Sequence, residues 1–220
     1  MNKNYITEKF NYLVPLKVDL IRVGMNMDGG YVLGKNEVNK IEYIISLGMG
    51  SERTNWSFEK EYLKINQNIK ITFYDHTVSP KSYLLSIFRI FRRLIKLRYK
   101  IKDLTEMVKH FFSYVILLNS SQISHEKQKI LQKPKKRNET NVEEIFKNIS
   151  FNNILLKVDI EGSEYEIIDQ IVASSHKILS LIIEFHEVDK HEDVFEDKIK
   201  LLKSKFEIIH IHGNNNTGIQ

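Results

Sequence analysis

From Leu155 the chain reads Leu-Leu-Lys-Val-Asp-Ile-Glu-Gly-Ser-Glu-Tyr-Glu-Ile-Ile, an apolar, β-branched run that stops at two carboxylates, Asp159 and Glu161, followed by a glycine and a helix-like pattern. Such a run is a buried strand, a tight turn and a helix. It puts Asp159 and Glu161 at the carboxyl end of a sheet, where open α/β folds bind their ligands.

The same rhythm recurs along the chain. Strands are expected over 41–47, 70–74, 152–158, 179–185 and 206–211, with helical patterns over 56–62, 163–173 and 195–204. Strands alternating with helices predict a Rossmann-like, mostly parallel sheet with helices on both faces. At 220 residues the chain is expected to be a single domain, 1–220. A short capped helix is expected over 141–148, and the polar stretch 132–138 reads as an exposed loop.

Residues 80–150 interrupt the alternation. Leu84, Ile87, Phe88, Phe91, Leu94 and Ile95 share one helical face, and a second helical segment covers about 104–118. The expectation is a helical insertion over about 80–125 that caps the ligand edge of the sheet. The insertion also concentrates the charge: Arg89, Arg92, Arg93, Lys96, Arg98, Lys100, Lys102 and Lys109 face only Asp103 and Glu106, which more than accounts for the net charge of +5. A confined patch of this kind is a solvated helix face, a contact for an anionic lipid surface, or an attractor of phosphorylated substrate. The chain shows no nucleic-acid module with aromatic stacking positions, so nucleic acid is not the expected partner.

No apolar run approaches the roughly 20 residues of a membrane span, and the polar start is not followed by a signal-type apolar core. The expected location is cytoplasmic, with peripheral membrane contact through the cationic stretch from Arg89 to Lys102. Cysteine is absent, which removes disulfides, thiolate nucleophiles and cysteine-ligated metals. Catalysis would use carboxylates, histidines, tyrosines, serines or a bound cofactor.

Four constellations could carry chemistry. Gly48-Met49-Gly50-Ser51 follows a strand, and Asp75-His76 ends the next one. Glycines let backbone approach a ligand, and a carboxylate at the second strand tip can accept both hydroxyls of a ribose. The third glycine of the dinucleotide fingerprint is missing, which disfavours a pyrophosphate and leaves room for a nucleoside without phosphates. Asp159, Glu161, Glu184 and His186 form the second constellation, at the ends of two strands expected to be neighbours. They could hold a divalent cation, act as acid and base, or orient a polar substrate, unless they merely cap the following helix. A zinc protease is excluded, because His186 and His191 are five residues apart and do not share a helical face. The third is Asp28-Gly29-Gly30-Tyr31, a hairpin-turn signal in which Asp28 and Tyr31 are candidates for lining the pocket. The fourth is His210-Ile211-His212-Gly213-Asn214, whose alternating histidines could bind metal or, as His212 and Asn214, orient a substrate.

Together these segments resemble the FkbM-type branch of the class I S-adenosylmethionine-dependent methyltransferases. The resemblance rests on residues 156–165 and 182–186, on Ser46-Leu47-Gly48-Met49-Gly50 with Ser57-Phe58-Glu59, on Asp28-Gly29-Gly30-Tyr31-Val32, and on 210–215. It covers about two thirds of the chain. It implies that S-adenosylmethionine binds at the sheet's carboxyl edge, with Gly48, Met49, Gly50 and Ser51 facing its amino acid portion and Asp75 and His76 its ribose. It implies Asp159, Glu161, Glu184 and His186 as catalytic candidates, Asp28, Tyr31, His212 and Asn214 as substrate-binding ones, and Asp159 and Glu161 as ligands of any divalent cation. The implied reaction is O-methylation of a saccharide or surface-polymer precursor. The family's antiparallel last strand is expected to be missing here. Two other functions stay open: a metal-dependent hydrolase or transferase built on the acidic and histidine cluster, and a non-catalytic membrane-surface or scaffold protein.

Overall fold

The computed structural model describes residues 10, 12–26, 29–50, 56–96 and 99–213. A hairpin comes first, β1 (Leu20–Val23) antiparallel to β2 (Tyr31–Gly34), with Val23 opposite Tyr31. Then follow β3 (Tyr43–Leu47), α1 (Ser57–Ile65), β4 (Lys70–Tyr74), α2 (Pro80–Ile95), α3 (Ile101–Leu118) and β5 (Ile123–Glu126). A two-residue ladder of β6 (Lys129–Ile130) and β7 (Glu139–Thr140) closes a loop before α4 (Val142–Lys147). The chain continues through β8 (Ile154–Val158), α5 (Glu164–Ala173), β9 (Ile178–Ile183) and α6 (Glu192–Lys203).

The main sheet has five parallel strands in the order β5-β4-β3-β8-β9. Chain order reverses at β3, whose successors run outward on one side and β8 and β9 on the other. Parallel strands covered on both faces read as continuous apolar runs, and all five residues of β8, Ile-Leu-Leu-Lys-Val, are buried. Alternate side chains feed two cores. Ile44, Ile71, Phe73 and Leu155 pack with Phe58 and Tyr62 of α1, Tyr83 of α2 and Met107 and Tyr114 of α3. Ile45, Leu47, Leu156 and Val158 pack with Phe146 of α4, Ile167 and Ile171 of α5 and Phe195 and Leu202 of α6. Each buried aliphatic or phenyl side chain contributes roughly 1.5–3 kcal/mol, so the sheet is stabilised from both sides.

Helix starts follow local chemistry. Asn141 caps α4 by accepting from Glu144 N at 2.8 Å, as the expected capped helix requires. Ser79 and Ser82 form a reciprocal capping box at α2, with Pro80 in the first turn.

Three expectations are corrected. The helices of 80–118 are the crossover from β4 to β5, and they cover one face of the sheet; the fifth strand after them went unread because Ile-Ser-His-Glu carries one buried apolar residue. The apolar positions of α2 do not all face the core. Tyr83 and Ile90 are buried, whereas Leu84, Phe88, Phe91 and Ile95 are exposed. Finally, 206–211 forms no strand. Phe206 and Ile208 pack on the second core and Leu16 N donates to Ile208 O at 2.7 Å, but the alternation finds no ladder beside it. Among the described residues, no helix is long and apolar enough to cross a membrane.

Candidate functional site

Register alone assembles the site. Leu47 lies opposite both Tyr74 and Val158, and Val158 lies opposite Ile183. The four strands therefore end level, and the next residues, Gly48, Asp75, Asp159 and Glu184, form a row along the carboxyl edge. Backbone bonds hold the row: Gly48 N to Tyr74 O, Asp159 N to Leu47 O and Glu184 N to Val158 O, at 3.0, 2.9 and 2.9 Å. The row spans the β3/β8 boundary, the switch point at which open parallel sheets part to admit ligands.

On the β4 side, Asp75 is buried and its carboxylate is mostly engaged. Oδ1 accepts from Thr77 N and Oγ1 and from Val78 N, while Oδ2 accepts from Met49 N at 2.8 Å. Oδ2 retains one acceptor position, so Asp75 has room for one further hydroxyl rather than two. Met49 is fully buried, with its N–H on Asp75 and its carbonyl accepting from Trp56 Nε1 at 3.0 Å. Gly48 has φ +89°, and a Cβ there would stand 1.8 Å from Asp159 O. This glycine is demanded by the neighbouring strand end. Gly50 also has positive φ, His76 is exposed, and Ser51 lies outside the described residues.

On the β8 side, Glu164 at the start of α5 has no exposed side-chain surface. Its carboxylate accepts from Ile160 N, from Gly162 N and from His186 Nδ1 at 3.0 Å. It closes the turn and aims the imidazole. Nε2 of His186 then points at Asp159 Oδ1 and Glu161 Oε2, 3.9 and 3.7 Å away. Donor atoms of Asp159, Glu161 and His186 lie within 4.8 Å of one another, the spacing of ligands around one cation. A histidine whose second nitrogen is held by a carboxylate is the usual support of a metal ligand. Glu161 adopts φ +55°, a left-handed conformation that costs about 1–2 kcal/mol for a residue with a side chain. Glu184 stands outside this set of three and raises the pKa of Asp159 and of Tyr31.

Beneath the row lies a buried ion pair, Lys157 Nζ to Glu59 Oε1 of α1 at 3.5 Å. The hairpin delivers Tyr31 to the same place: Lys157 Nζ is 5.1 Å from the centre of its ring, which packs edge-on against Phe58. Burial lowers the Lys157 ammonium, but Glu59, Tyr31 and Asp159 outweigh it and hold the group well above the ordinary lysine range. Burial raises Asp159; Lys157 and His186 oppose it, Glu184 and Glu161 add to it, and the carboxyl is pushed up to about 6. Burial lowers His186, yet Glu164, Glu161 and Asp159 together leave it raised.

Because the folded pKa of Asp159 exceeds the unfolded value of about 4, the native state holds the extra proton between about pH 4 and 6, and its stability falls as pH rises through that window. Asp159→Asn is therefore expected to raise stability at pH 7 by about 1–3 kcal/mol and to change it little at pH 4. Urea midpoints at the two pH values check this.

Of the residues singled out in the sequence, the structure brings together Gly48, Met49, Asp75, Asp159, Glu161, Glu184, His186 and Tyr31. His212 is exposed and stacks on His210, their ring centres 6.0 Å apart, beside Arg22 of the hairpin. Asp28 and Asn214 lie outside the described residues. Sequence reasoning passed over Glu164, Lys157 and Glu59 as site residues. A lysine inside an apolar strand was the available signal, since a buried ammonium demands a carboxylate.

The chain matches no family model, no curated protein and no solved structure.

Proposed function

We propose that the chain is an S-adenosylmethionine-dependent O-methyltransferase acting on a hydroxyl of a saccharide or surface-polymer precursor. The observation that carries the reading is the level row of Gly48, Asp75, Asp159 and Glu184 across the switch point. Residue chemistry fits a nucleoside cofactor: Asp75 Oδ2 keeps an acceptor position for a ribose hydroxyl, and the turn after β3 presents glycines at 48 and 50. When bound, S-adenosylmethionine supplies a methyl group open to in-line attack, so the protein's task is to position the acceptor oxygen and take its proton.

Asp159 is the group for the proton. Its pKa of about 6 leaves it ionised near neutrality yet more basic than an ordinary carboxylate. His186, aimed by Glu164, stands behind it, and the exposed carboxylate of Glu161 suits a polyhydroxylated acceptor. Asp159, Glu161 and His186 would also hold a divalent cation, which would lower the pKa of a coordinated hydroxyl.

The same three donors favour a second reading, a metal-dependent hydrolase or transferase with no nucleoside cofactor. Calorimetric titration of the full chain with S-adenosylhomocysteine, then with Mn²⁺, separates the two. The methyltransferase reading expects S-adenosylhomocysteine binding that Asp75→Ala weakens about tenfold or more, the scale of one lost hydrogen bond to a charged group. A folded chain that takes up Mn²⁺ but no S-adenosylhomocysteine sinks it in favour of the second.

A further inference from the structure

We infer that the exposed ridge of α2 is a docking surface for an anionic lipid bilayer. Helix α2 is apolar on two sides. Tyr83 and Ile90 turn to the sheet, while Leu84, Phe88, Phe91 and Ile95 form an exposed ridge on the adjoining side, each 48% to 67% accessible. At 100° per residue these four fall within an arc of about 60° with Phe88 at one edge; Arg92 borders that edge, and Lys96 and Arg89 lie further round on the same side.

Exposed phenylalanines in a row are costly to leave in water, and solvated helix faces do not collect them. The flank is cationic: α2 contains no acidic residue, its four basic side chains, Lys81, Arg89, Arg92 and Arg93, are all exposed, and Arg92 lies over the Phe88 ring at 5.9 Å. An apolar ridge bordered by arginine and lysine is the pattern of helices that lie in the plane of a membrane surface, the ridge entering the acyl boundary and the cations meeting anionic headgroups.

Helix α3, which packs on α2 through Tyr83, Phe111 and Tyr114, exposes apolar side chains as well. Its Phe112 and Ile116 are 58% and 72% exposed, and they also border a cavity of about 500 Å³ shared with Leu63 of α1 and rimmed by Lys60 and Lys109. That cavity has the composition to accept part of an acyl chain beneath a negatively charged head. A second copy of the chain fits less well, because its own α2 offers no acidic group to answer the arginines. Since α2 starts immediately after the loop held by Asp75, such docking would set the carboxyl edge of the sheet close to the membrane.

Co-sedimentation of the full chain with vesicles tests the assignment. Binding is expected to phosphatidylcholine–phosphatidylglycerol vesicles, about tenfold or more weaker to phosphatidylcholine alone, and weakened by high salt. Phe88→Ser with Ile95→Ser, and separately Arg89→Gln with Arg92→Gln, are each expected to reduce binding about tenfold with unchanged circular dichroism melting, since all four side chains are exposed. Equal binding to both vesicle types, or none, overturns the proposal. So does a lipid-free dimer in sedimentation equilibrium that Phe88→Ser with Ile95→Ser dissociates, which would assign the face to a second copy.

Discussion

Replacing Glu59 with leucine is expected to destabilise the fold by about 3–5 kcal/mol, the cost of leaving one member of a buried ion pair without its partner. Glu59 and Lys157 are 2% and 7% exposed, and their charged atoms are 3.5 Å apart between α1 and the interior strand β8. The measurement is a fall in urea midpoint with an unchanged slope. Its pH dependence identifies the cause. In the native protein the folded pKa of Lys157 is raised, so the pair's contribution is complete below the unfolded lysine value of about 10.4 and is lost only as pH rises through the folded value. In Glu59→Leu the largest remaining influence is burial, which favours the neutral amine. The unfolded state then binds the extra proton, and the variant should regain stability as pH rises toward 10. Adding Lys157→Met to Glu59→Leu is expected to recover most of the loss at pH 7, since an apolar pair of similar volume substitutes well for a buried ion pair.

Alanine at Gly48 is expected to cost at least about 3 kcal/mol, as an overpacked position on a strained backbone. Its Cβ would meet Asp159 O at 1.8 Å, in backbone with φ +89°. Relief requires β3 and β8 to part where Asp159 N bonds to Leu47 O, and that is the boundary the proposed ligand would use. Gly162 supplies the comparison. Its φ is +99°, but nothing lies within 4 Å of the Cβ it would gain, so Gly162→Ala should cost only the backbone term of about 1–2 kcal/mol. Thermal melts of the two variants side by side check the difference; equal losses would remove the close approach as the reason for Gly48.

Much of the site was legible because strand ends announce themselves. Runs 41–47, 70–74 and 152–158 stop at Gly48, Asp75 and Asp159, where apolar residues give way to polar ones and glycine, and all three fall in one row. Tyr31 was legible for a different reason: the glycines of the hairpin mark a reversal, and Tyr31 is the first residue after it. Pairing between distant charges could not be read in the same way. Glu59 and Lys157 are 98 positions apart, and only the packing of α1 on the sheet brings them together.

Periodicity misled where one pattern serves two environments. On α2 a helical apolar stripe predicted burial, but a helix has more than one side, and the buried residues proved to be Tyr83 and Ile90 rather than the ridge through Phe88. Over 206–211 the alternation was right for a strand, yet a strand exists only where a neighbour pairs with it in a repeated ladder, and the single bond from Leu16 N to Ile208 O does not make one.

The sequence by itself determined the parallel α/β class, the carboxyl ends of β3, β4 and β8, and which carboxylates stand at the sheet's carboxyl edge. These follow from local apolar periodicity and glycine placement, which the chain carries residue by residue. Tertiary structure alone decided that Glu164 aims His186, that the main-chain carbonyl of Asp159 requires Gly48 to be glycine, and that α2 keeps an apolar face in solvent. Each depends on which surfaces meet in space, and contacts between residues far apart in the chain leave no local pattern to read.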